Sequence, residues 1–311
     1  MSAALPLIGH SAAQDRFLSA KASGRLHHGW IIEGPSGIGK SRFTMRLAAH
    51  ILGASAPDAD GQDPVMQKVV SGAHPDLKWV ERGLNESGKL RQDITVEQIR
   101  DLNRFFALRP ALSGWRVGVI DALDEANVSG LNALLKTLEE PPEHALLFLI
   151  NHGTQRLLPT IRSRCQTLRL YPLSDDDTAA VIQQNGESPD LLVELSHGRP
   201  GYGLGLKDTG GLAALNAADA LLKQIRRAPP GVVADALNAA AKDPGALAAF
   251  SDRLLAWTAK QAEEQAAFAE IWFQLHAVRS ESAELALTPL QTASKLYAVL
   301  QDAVKSLAQP A

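Results

Sequence analysis

Over the first 170 residues of the chain, short runs of apolar residues alternate with longer stretches in which polar and apolar residues are mixed. In the longer stretches apolar residues recur with the period of an amphipathic helix. The short runs predict β-strands at His28–Glu33, Leu77–Val80, Val117–Asp121, Ala145–Ile150 and Thr167–Leu170. Strands that alternate with helices predict a parallel sheet that is covered by helices on both faces.

Two of the predicted helices carry signals at their ends. Thr95 followed by Gln98 predicts a capping box at the start of one helix. The stretch Ser129–Glu140 has leucines at helical spacing and stops at Pro141-Pro142. The segment Ala54–Pro75 interrupts the alternation and is rich in loop-forming residues, so we predict a surface loop there.

Beyond Tyr171 the alternation of strands and helices ends. Ser174 and Ser188-Pro189 each predict the start of a short helix, and Gly198–Gly203 predicts a flexible run. From about Gly210 onward the sequence is alanine-rich and helical. These changes predict three domains, at residues 1–170, 171–208 and 209–311.

The composition is that of a globular protein, with 45% hydrophobic and 21% charged residues. The net charge is −3, so the overall field does not attract nucleic acid, and any DNA contact would be local or shared with partners. Cys165 is the only cysteine, which excludes an intrachain disulfide and a cysteine-rich zinc site. The chain lacks a signal-peptide pattern and any apolar run of about 18 residues, so we expect a cytoplasmic protein with no membrane contact.

A phosphate-binding loop follows the first predicted strand. The segment Gly34–Ser41 reads GPSGIGKS and matches the pattern G-x-x-x-x-G-K-[ST] between a strand and a helix. Glycines in such a loop let backbone N–H groups approach phosphate oxygens, and this interpretation makes Gly34, Gly37 and Gly39 binding residues. We expect Lys40 to reach the outer phosphates of ATP and the Ser41 hydroxyl to hold its Mg²⁺.

A second acidic motif is expected to face this loop. Val117–Asp121 is an apolar run that ends in an acid, which is typical of a buried strand delivering a carboxylate to Mg²⁺. The pair Asp124-Glu125 offers a shifted alternative, but that register would bury the charge of Asp121 inside the strand. We therefore predict Asp121, together with Ser41, as the metal-side residues of an ATP site.

Three further segments carry a resemblance to a known family. They are LNALLKTLEEPP at Leu131–Pro142, IRSRC at Ile161–Cys165 and HPD at His74–Asp76. With the phosphate loop, they resemble the clamp-loader subunits of bacterial DNA polymerase III, which are AAA+ proteins. The resemblance covers about residues 1–205 by motif, and beyond them it rests on size and helical character alone.

This resemblance implies an α/β fold with an AAA+ P-loop parallel-sheet domain, a small helical lid and an all-α collar domain that oligomerises. It implies that Arg164 enters the ATP site of a neighbouring subunit as an arginine finger, where a fixed charge stabilises the transition state. It also favours Asn151, which follows a strand, as the first nucleotide sensor. The implied partners are gamma/tau-like ATPase and delta subunits, with the sliding clamp and primed DNA reached through the complex.

The chain departs from the ATPase members of the family at three points. Ala122 stands where a glutamate normally activates the attacking water, a loss that costs about 10²- to 10⁴-fold in rate. Gly201 occupies the place of a second sensing arginine in the lid, and Arg199 lies nearby but out of register. The cysteine-rich zinc module is missing, so we predict no structural metal.

Three functions compete at this point. The favoured hypothesis is a clamp-loader subunit that binds nucleotide, hydrolyses little or none, and presents Arg164 to a neighbour. The second is a self-sufficient ATPase in which Glu125 or another acid activates water. The third is a small-molecule phosphotransferase, which the long helical C-terminal region argues against.

Overall fold

The computed structural model describes residues 6–56, 59, 61–85, 88, 90–91, 93–153, 157–285 and 287–307. The chain divides into two compact units, Met1–Tyr202 and Gly203–Ala311, and each has its own hydrophobic core. The first unit combines strands and helices, whereas the second is helical in the part that is described. The finer division into domains at 1–170, 171–208 and 209–311 stays a prediction.

The first unit is built on a five-stranded sheet whose order is β2-β3-β4-β1-β5. The strands are β1 (Gly29–Glu33), β2 (Leu77–Val80), β3 (Arg116–Asp121), β4 (Ala145–Asn151) and β5 (Gln166–Arg169). All neighbouring strands run parallel, so the predicted parallel sheet is confirmed. Each predicted strand end lies within one residue of the observed end.

Helices occupy the connections between these strands, as the crossover of parallel strands requires. They are α2 (Lys40–Ile51), α3 (Pro64–Val70), α4 (Val96–Phe106), α5 (Val128–Glu139) and α6 (Pro159–Arg162), while α1 (Ser11–Ala22) precedes β1. The predicted capping box at α4 is present, because Thr95 accepts the Gln98 N–H and Gln98 accepts the Thr95 N–H. The structure confirms the predicted helix before Pro141-Pro142 as α5.

The sheet is buried on both faces because its strands are apolar at successive positions. In β4, Leu146, Phe148 and Ile150 pack into a core that includes α2 and α3, while Leu147 and Leu149 pack into a core that includes α4 and α5. Side chains along a strand alternate between faces, so two helical layers cover one run of apolar residues.

The prediction of a surface loop at Ala54–Pro75 was wrong in its central part. Helix α3 forms there, Asp63 caps it, and Met66 and Val69 are buried in the core. The seven-residue helix was missed because its start signal, an acid before a proline, lies among other turn-forming residues. Residues 57, 58 and 60 of this segment lie outside the described residues.

Three short helices follow β5: α7 (Asp175–Gln184), α8 (Asp190–Ser196) and α9 (Pro200–Asp208). Ser174 caps α7 as predicted, since its Oγ accepts the Asp177 N–H at 3.1 Å. The predicted flexible run Gly198–Gly203 was wrong, because α9 begins inside it at Pro200. Proline fits the first turn of a helix, where no backbone N–H is needed, so the glycines after it did not prevent helix formation.

The second unit contains α10 (Gly211–Leu222), α11 (Pro230–Ala240), α12 (Pro244–Glu264), α13 (Ala267–Glu284) and α14 (Pro289–Leu307). Small side chains such as Ala214, Ala218 and Ala246 lie in its core, which lets the helices approach closely. In α14 the predicted face is buried at Leu296, Leu300 and Val304, whereas Leu307 at the helix end is 37% exposed. None of the helices in the described residues is long and apolar enough to cross a membrane.

Candidate functional site

The phosphate-loop motif lies between the end of β1 and the start of α2, which begins at Lys40. Gly37 and Gly39 have φ angles of 80° and 100°, a left-handed conformation that glycine adopts without strain. The neighbours of β1 in the sheet are β4 and β5, and β3 lies beyond β4. The carboxyl ends of β1, β3 and β4 therefore bring the loop, Asp121 and Asn151 to the same edge of the sheet.

Lys40 is turned back onto its own loop and is only 3% exposed. Its Nζ donates to the carbonyl oxygens of Gly34 at 2.7 Å and Pro35 at 2.8 Å. Burial lowers the pKa of this ammonium group to about 8, and the carboxylates of Asp124 and Asp121 oppose the shift. An ammonium group that is removed from water in this way would be stabilised by a bound polyanion.

Two acids lie beside the loop, whereas the sequence predicts only Asp121 there. Asp121 ends β3 as expected, and Ala122 after it is 2% exposed and contributes only a methyl group. A short 3₁₀ turn at Leu123–Glu125 then buries Asp124, whose Oδ1 accepts the His152 N–H at 3.2 Å. Two acids, Asp121 and Asp124, therefore act electrostatically on Lys40 where one was expected.

Glu125 is held away from a simple water-activating role. Its carboxylate lies 2.7 Å from Arg82 Nε in an ion pair. Burial raises the pKa of Glu125, although the charge of Arg82 opposes the shift. The alternative in which Glu125 activates water would require this carboxylate to exchange Arg82 for a water molecule.

Asn151 ends β4 and is 5% exposed, and its Oδ1 accepts the Gly153 N–H at 3.1 Å. The next residue, His152, was not identified from the sequence as a site residue. Its Nε2 lies 3.8 Å from Asp121 Oδ1, and burial, followed by the charge of Lys40, lowers its pKa. The available signal was its position directly after the predicted sensor residue.

The start of α9 packs directly on the phosphate loop. The Gly201 N–H donates to the Gly37 carbonyl oxygen at 2.8 Å. A Cβ atom on residue 201 would lie 2.9 Å from that oxygen, so any larger residue would push the helix away. Gly201, which the sequence places where a sensing arginine would stand, is therefore required by the close approach of two backbones.

A cavity of about 590 Å³ opens beside the loop. Its lining residues come from the ends of β1 and β4 and from the region of α6: Glu33, Gly34, Pro35, Asn151, His152, Gly153, Leu157, Pro159 and Arg162. Glu33 forms ion pairs with Arg162 and Arg169 at its edge. The cavity brings loop backbone and the predicted sensor residue together.

The predicted finger, Arg164, lies outside this cavity lining. Its Nη2 is 2.9 Å from Glu139 Oε1, and its Nη1 donates to the Thr160 carbonyl oxygen at 2.9 Å. The side chain is 35% exposed, so part of the guanidinium group is accessible from outside the chain. The next residue, Cys165, has its thiol pKa raised to about 12 by burial.

The residues of the site fit a magnesium nucleotide by their chemistry. Lys40 and the left-handed loop glycines suit phosphate oxygens, whereas the Ser41 hydroxyl and the Asp121 carboxylate offer hard oxygen ligands for Mg²⁺. Among the described residues, no group of three or more histidine, cysteine or acidic side chains could hold a metal ion. A cation bound here would therefore take other ligands from phosphate or water, as Mg²⁺ usually does.

The chain matches a family profile and several characterised proteins. The profile described as "DNA polymerase III, delta subunit" matches residues 9–174. DNA polymerase III subunit delta′ of Pseudomonas aeruginosa is 34% identical over 56% of this chain and 53% of its own length. The delta′ subunit of Bacillus subtilis is 35% identical over 56% of this chain and 51% of its own length. The chain thus spans about half the length of these curated relatives.

Among solved structures, a DNA polymerase III gamma subunit-related protein from Thermotoga maritima aligns with a TM-score of 0.51. The alignment covers 93% of this chain and 99% of that one at 14% identity, which is evidence for the fold alone. It supports the predicted α/β fold, in which a parallel sheet is followed by helices. Since the family profile covers more than half of the chain, this protein belongs to the DNA polymerase III delta-subunit family and resembles its delta-prime members.

Proposed function

We propose that this chain is a delta-prime-like subunit of the DNA polymerase III clamp loader, which helps to load the sliding clamp onto primed DNA. In this role it is a largely non-hydrolysing stator that supplies Arg164 to the ATP site of a neighbouring gamma/tau-like subunit. The family membership supports the assembly, and the partly exposed guanidinium group of Arg164 supports the donated finger. The observation that carries the proposal is the combination of this arginine with Ala122 beside Asp121.

The chemistry of the chain's own site supports weak hydrolysis. Ala122 has no group that could take a proton from water, and the nearby Glu125 is paired with Arg82. Lys40, Ser41 and Asp121 would still suffice to hold Mg²⁺ and the phosphates of ATP. The negative charge of bound phosphates would stabilise the buried ammonium group of Lys40, so a structural role for ATP is consistent with this site.

The finger role is tested in the assembled complex. With partner subunits, clamp and primed DNA present, Arg164→Ala should lower ATP turnover at the adjoining site by about 10²-fold or more, because a finger stabilises transition-state charge. Arg25→Ala, which removes an exposed arginine from the same unit, is the matched control and should leave turnover unchanged. Unchanged turnover in the Arg164→Ala complex would refute the finger role.

A second candidate function, an active clamp-loader ATPase, is favoured by one observation. Asp124 is buried beside the loop and its charge acts on Lys40 more strongly than that of Asp121. Were Asp124 to activate water, the purified chain would hydrolyse ATP, and both Lys40→Ala and Asp124→Asn would abolish that activity. The stator proposal expects little or no turnover by the chain alone, and no dependence of any residual turnover on Asp124, so this assay separates the two candidates.

A further inference from the structure

The end of α5 and the Ser-Arg-Cys segment meet at the start of β1. A Cβ atom on Gly29 would lie 2.9 Å from Cys165 Sγ and 3.2 Å from Leu138 Cδ2. The side chains of Cys165 and Leu138 therefore pack so closely on the backbone of β1 that a side chain at residue 29 would collide with them. The ring of His28 also contacts the Leu138 carbonyl oxygen at 3.1 Å. Leu138 and Cys165 are the immediate neighbours of Glu139 and Arg164. The backbone therefore holds these two oppositely charged residues side by side.

The guanidinium group of Arg164 is restrained from two directions. Its Nη2 lies 2.9 Å from Glu139 Oε1, while its Nη1 donates to the Thr160 carbonyl oxygen at 2.9 Å and to Ser163 Oγ at 3.3 Å. A free arginine side chain samples many rotamers, and contacts on both terminal nitrogens select among them. Glu139 provides the charged contact in this set.

Neither helix formation nor fold stability explains an acid at residue 139. Glu139 is the last residue of α5, where the helix dipole is negative and an acidic side chain is unfavourable. The side chains of Arg164 and Glu139 are 35% and 50% exposed, and ion pairs at such exposure contribute little to stability. The contact therefore matters mainly for where the guanidinium group lies.

We propose that Glu139 is a positioning residue for Arg164, and that its carboxylate holds the guanidinium group in the orientation in which a neighbouring subunit's nucleotide meets it. This inference rests on the proposed finger role of Arg164. A finger acts on charge that develops in the transition state, so a loosened finger lowers kcat more than it changes KM.

The test compares Glu139→Gln with Glu140→Gln in the reconstituted clamp loader. Both variants remove one exposed acid from adjacent positions, and among the described residues Glu140 has no side-chain hydrogen bond or ion pair. Glu139→Gln should lower kcat for ATP by about 3- to 10-fold with KM and assembly unchanged, because misoriented catalytic groups lose rate steeply. Glu140→Gln should match wild type, and the thermal midpoints of both purified chains should stay within about 2 °C of wild type.

A double variant separates failure of this inference from failure of the finger role. If Glu139 acts through Arg164, Glu139→Gln has no further effect in an Arg164→Ala complex. A loss with Arg164→Ala but none with Glu139→Gln would overturn the positioning role and leave the finger role intact. An equal loss with Glu140→Gln, or an added loss in the double variant, would also overturn it. No loss with Arg164→Ala would remove the finger role and this inference together.

Discussion

At the scale of single residues, burial decides the chemistry of the charged groups around the phosphate loop. Lys40 and Asp121 could be identified from the sequence because a motif and a strand end mark them. Asp124 was considered only as an alternative to Asp121, and His152 was not identified, since their approach to Lys40 depends on the 3₁₀ turn after β3 and on the course of the chain after β4. Neither feature leaves a periodic signal in the sequence.

Cys165 is the only cysteine of the chain, so the rate at which a thiol reagent modifies the protein reports on this residue alone. Its thiol pKa is raised to about 12 by burial, so at pH 8 only about one molecule in 10⁴ carries the reactive thiolate. An unfolded cysteine has a pKa of about 8.5 and is about a quarter ionised at this pH. We expect alkylation of the native chain by iodoacetamide to be at least about 10²-fold slower than alkylation of the denatured chain.

Mass spectrometry of timed samples measures both rates directly, and the urea-denatured chain is the internal control. Because the raised pKa lies far above the assay range, raising the pH from 7 to 9 should increase the native rate in proportion to hydroxide, without a plateau. Rapid native labelling would mean that the packing of Cys165 against Gly29 is open in solution.

At the scale of elements, the sequence predicts the sheet well but misses the short helices α3 and α9. The strands are continuous apolar runs between polar turns, so their ends are visible to within one residue. Helices α3 and α9 have only seven and nine residues and carry glycines, prolines or polar residues that are equally typical of loops. Tertiary packing stabilises both helices, because α3 buries Met66 and α9 packs on Gly37.

The HPD segment before β2 also acquires a physical role. Asp76 is fully buried, and its carboxylate accepts the N–H groups of Ala111 at 2.6 Å, Leu112 at 2.8 Å and Ser113 at 3.0 Å. Burial alone would raise the pKa of Asp76, but these hydrogen bonds outweigh it and the pKa is lowered. This carboxylate thus fixes the turn that leads into β3.

We expect Asp76→Asn to destabilise the first unit by about 2 kcal/mol, because one amide oxygen cannot accept all of these buried donors. Hydrogen exchange at pH 7 should show faster exchange at the amides of Ala111, Leu112 and Ser113. Since the folded pKa is lowered, this stabilisation is present above the unfolded pKa of about 4 and is lost as pH falls through the folded value.

The matched control is Asp63→Asn at the start of α3. Asp63 accepts backbone N–H groups from Ser55, Val65 and Met66, but it is an N-cap with access to water, and asparagine caps helices about as well. Asparagine keeps the acceptor for Val65 and Met66 and loses only the acceptor of the exposed Ser55 N–H, so the substitution should cost at most about 1 kcal/mol. Equal effects of the two substitutions would show that burial of Asp76 is not the cause.

The contact between α9 and the phosphate loop leads to a second prediction at this scale. Gly37 has a φ of 80°, and a Cβ atom there would lie 2.5 Å from the backbone nitrogen of Tyr202. Gly24 has a similar φ of 68° but nothing within 4 Å of a Cβ atom. Gly24→Ala should therefore cost about 1 kcal/mol from backbone conformation alone, and Gly37→Ala about 2–4 kcal/mol.

Denaturant unfolding of the two variants measures this difference. A similar loss in both would mean that the start of α9 does not press on the loop in solution. A larger loss in Gly37→Ala would support the contact, and it would explain on steric grounds why both Gly37 and Gly201 lack side chains.

At the scale of the whole molecule, the chain combines two units with separate cores. The residues that match the family profile, 9–174, all lie in the first unit, together with every predicted nucleotide-site residue. The second unit could be predicted only as helical, because alanine-rich amphipathic helices are compatible with many packings. Its helices pack through buried residues such as Phe250, Leu254 and Leu300.

This division predicts that nucleotide stabilises one unit and not the other. If Mg²⁺-ATP binds at the phosphate loop, a concentration of 100 times Kd adds about 2.7 kcal/mol to the stability of the first unit. For a unit of about 200 residues, that corresponds to a rise of roughly 5–10 °C in its unfolding temperature. The second unit, Gly203–Ala311, should unfold at the same temperature with and without nucleotide.

Scanning calorimetry of the full chain, with and without Mg²⁺-ATP, resolves these transitions. Lys40→Ala is the control and should remove the shift, because the substitution deletes the buried ammonium group beside the phosphates while leaving the second core untouched. A shift of equal size in both transitions would mean that the units unfold together. A chain that shows no shift at millimolar ATP would have a phosphate loop that binds nucleotide weakly or not at all, and the proposed function would then depend on Arg164 rather than on bound nucleotide.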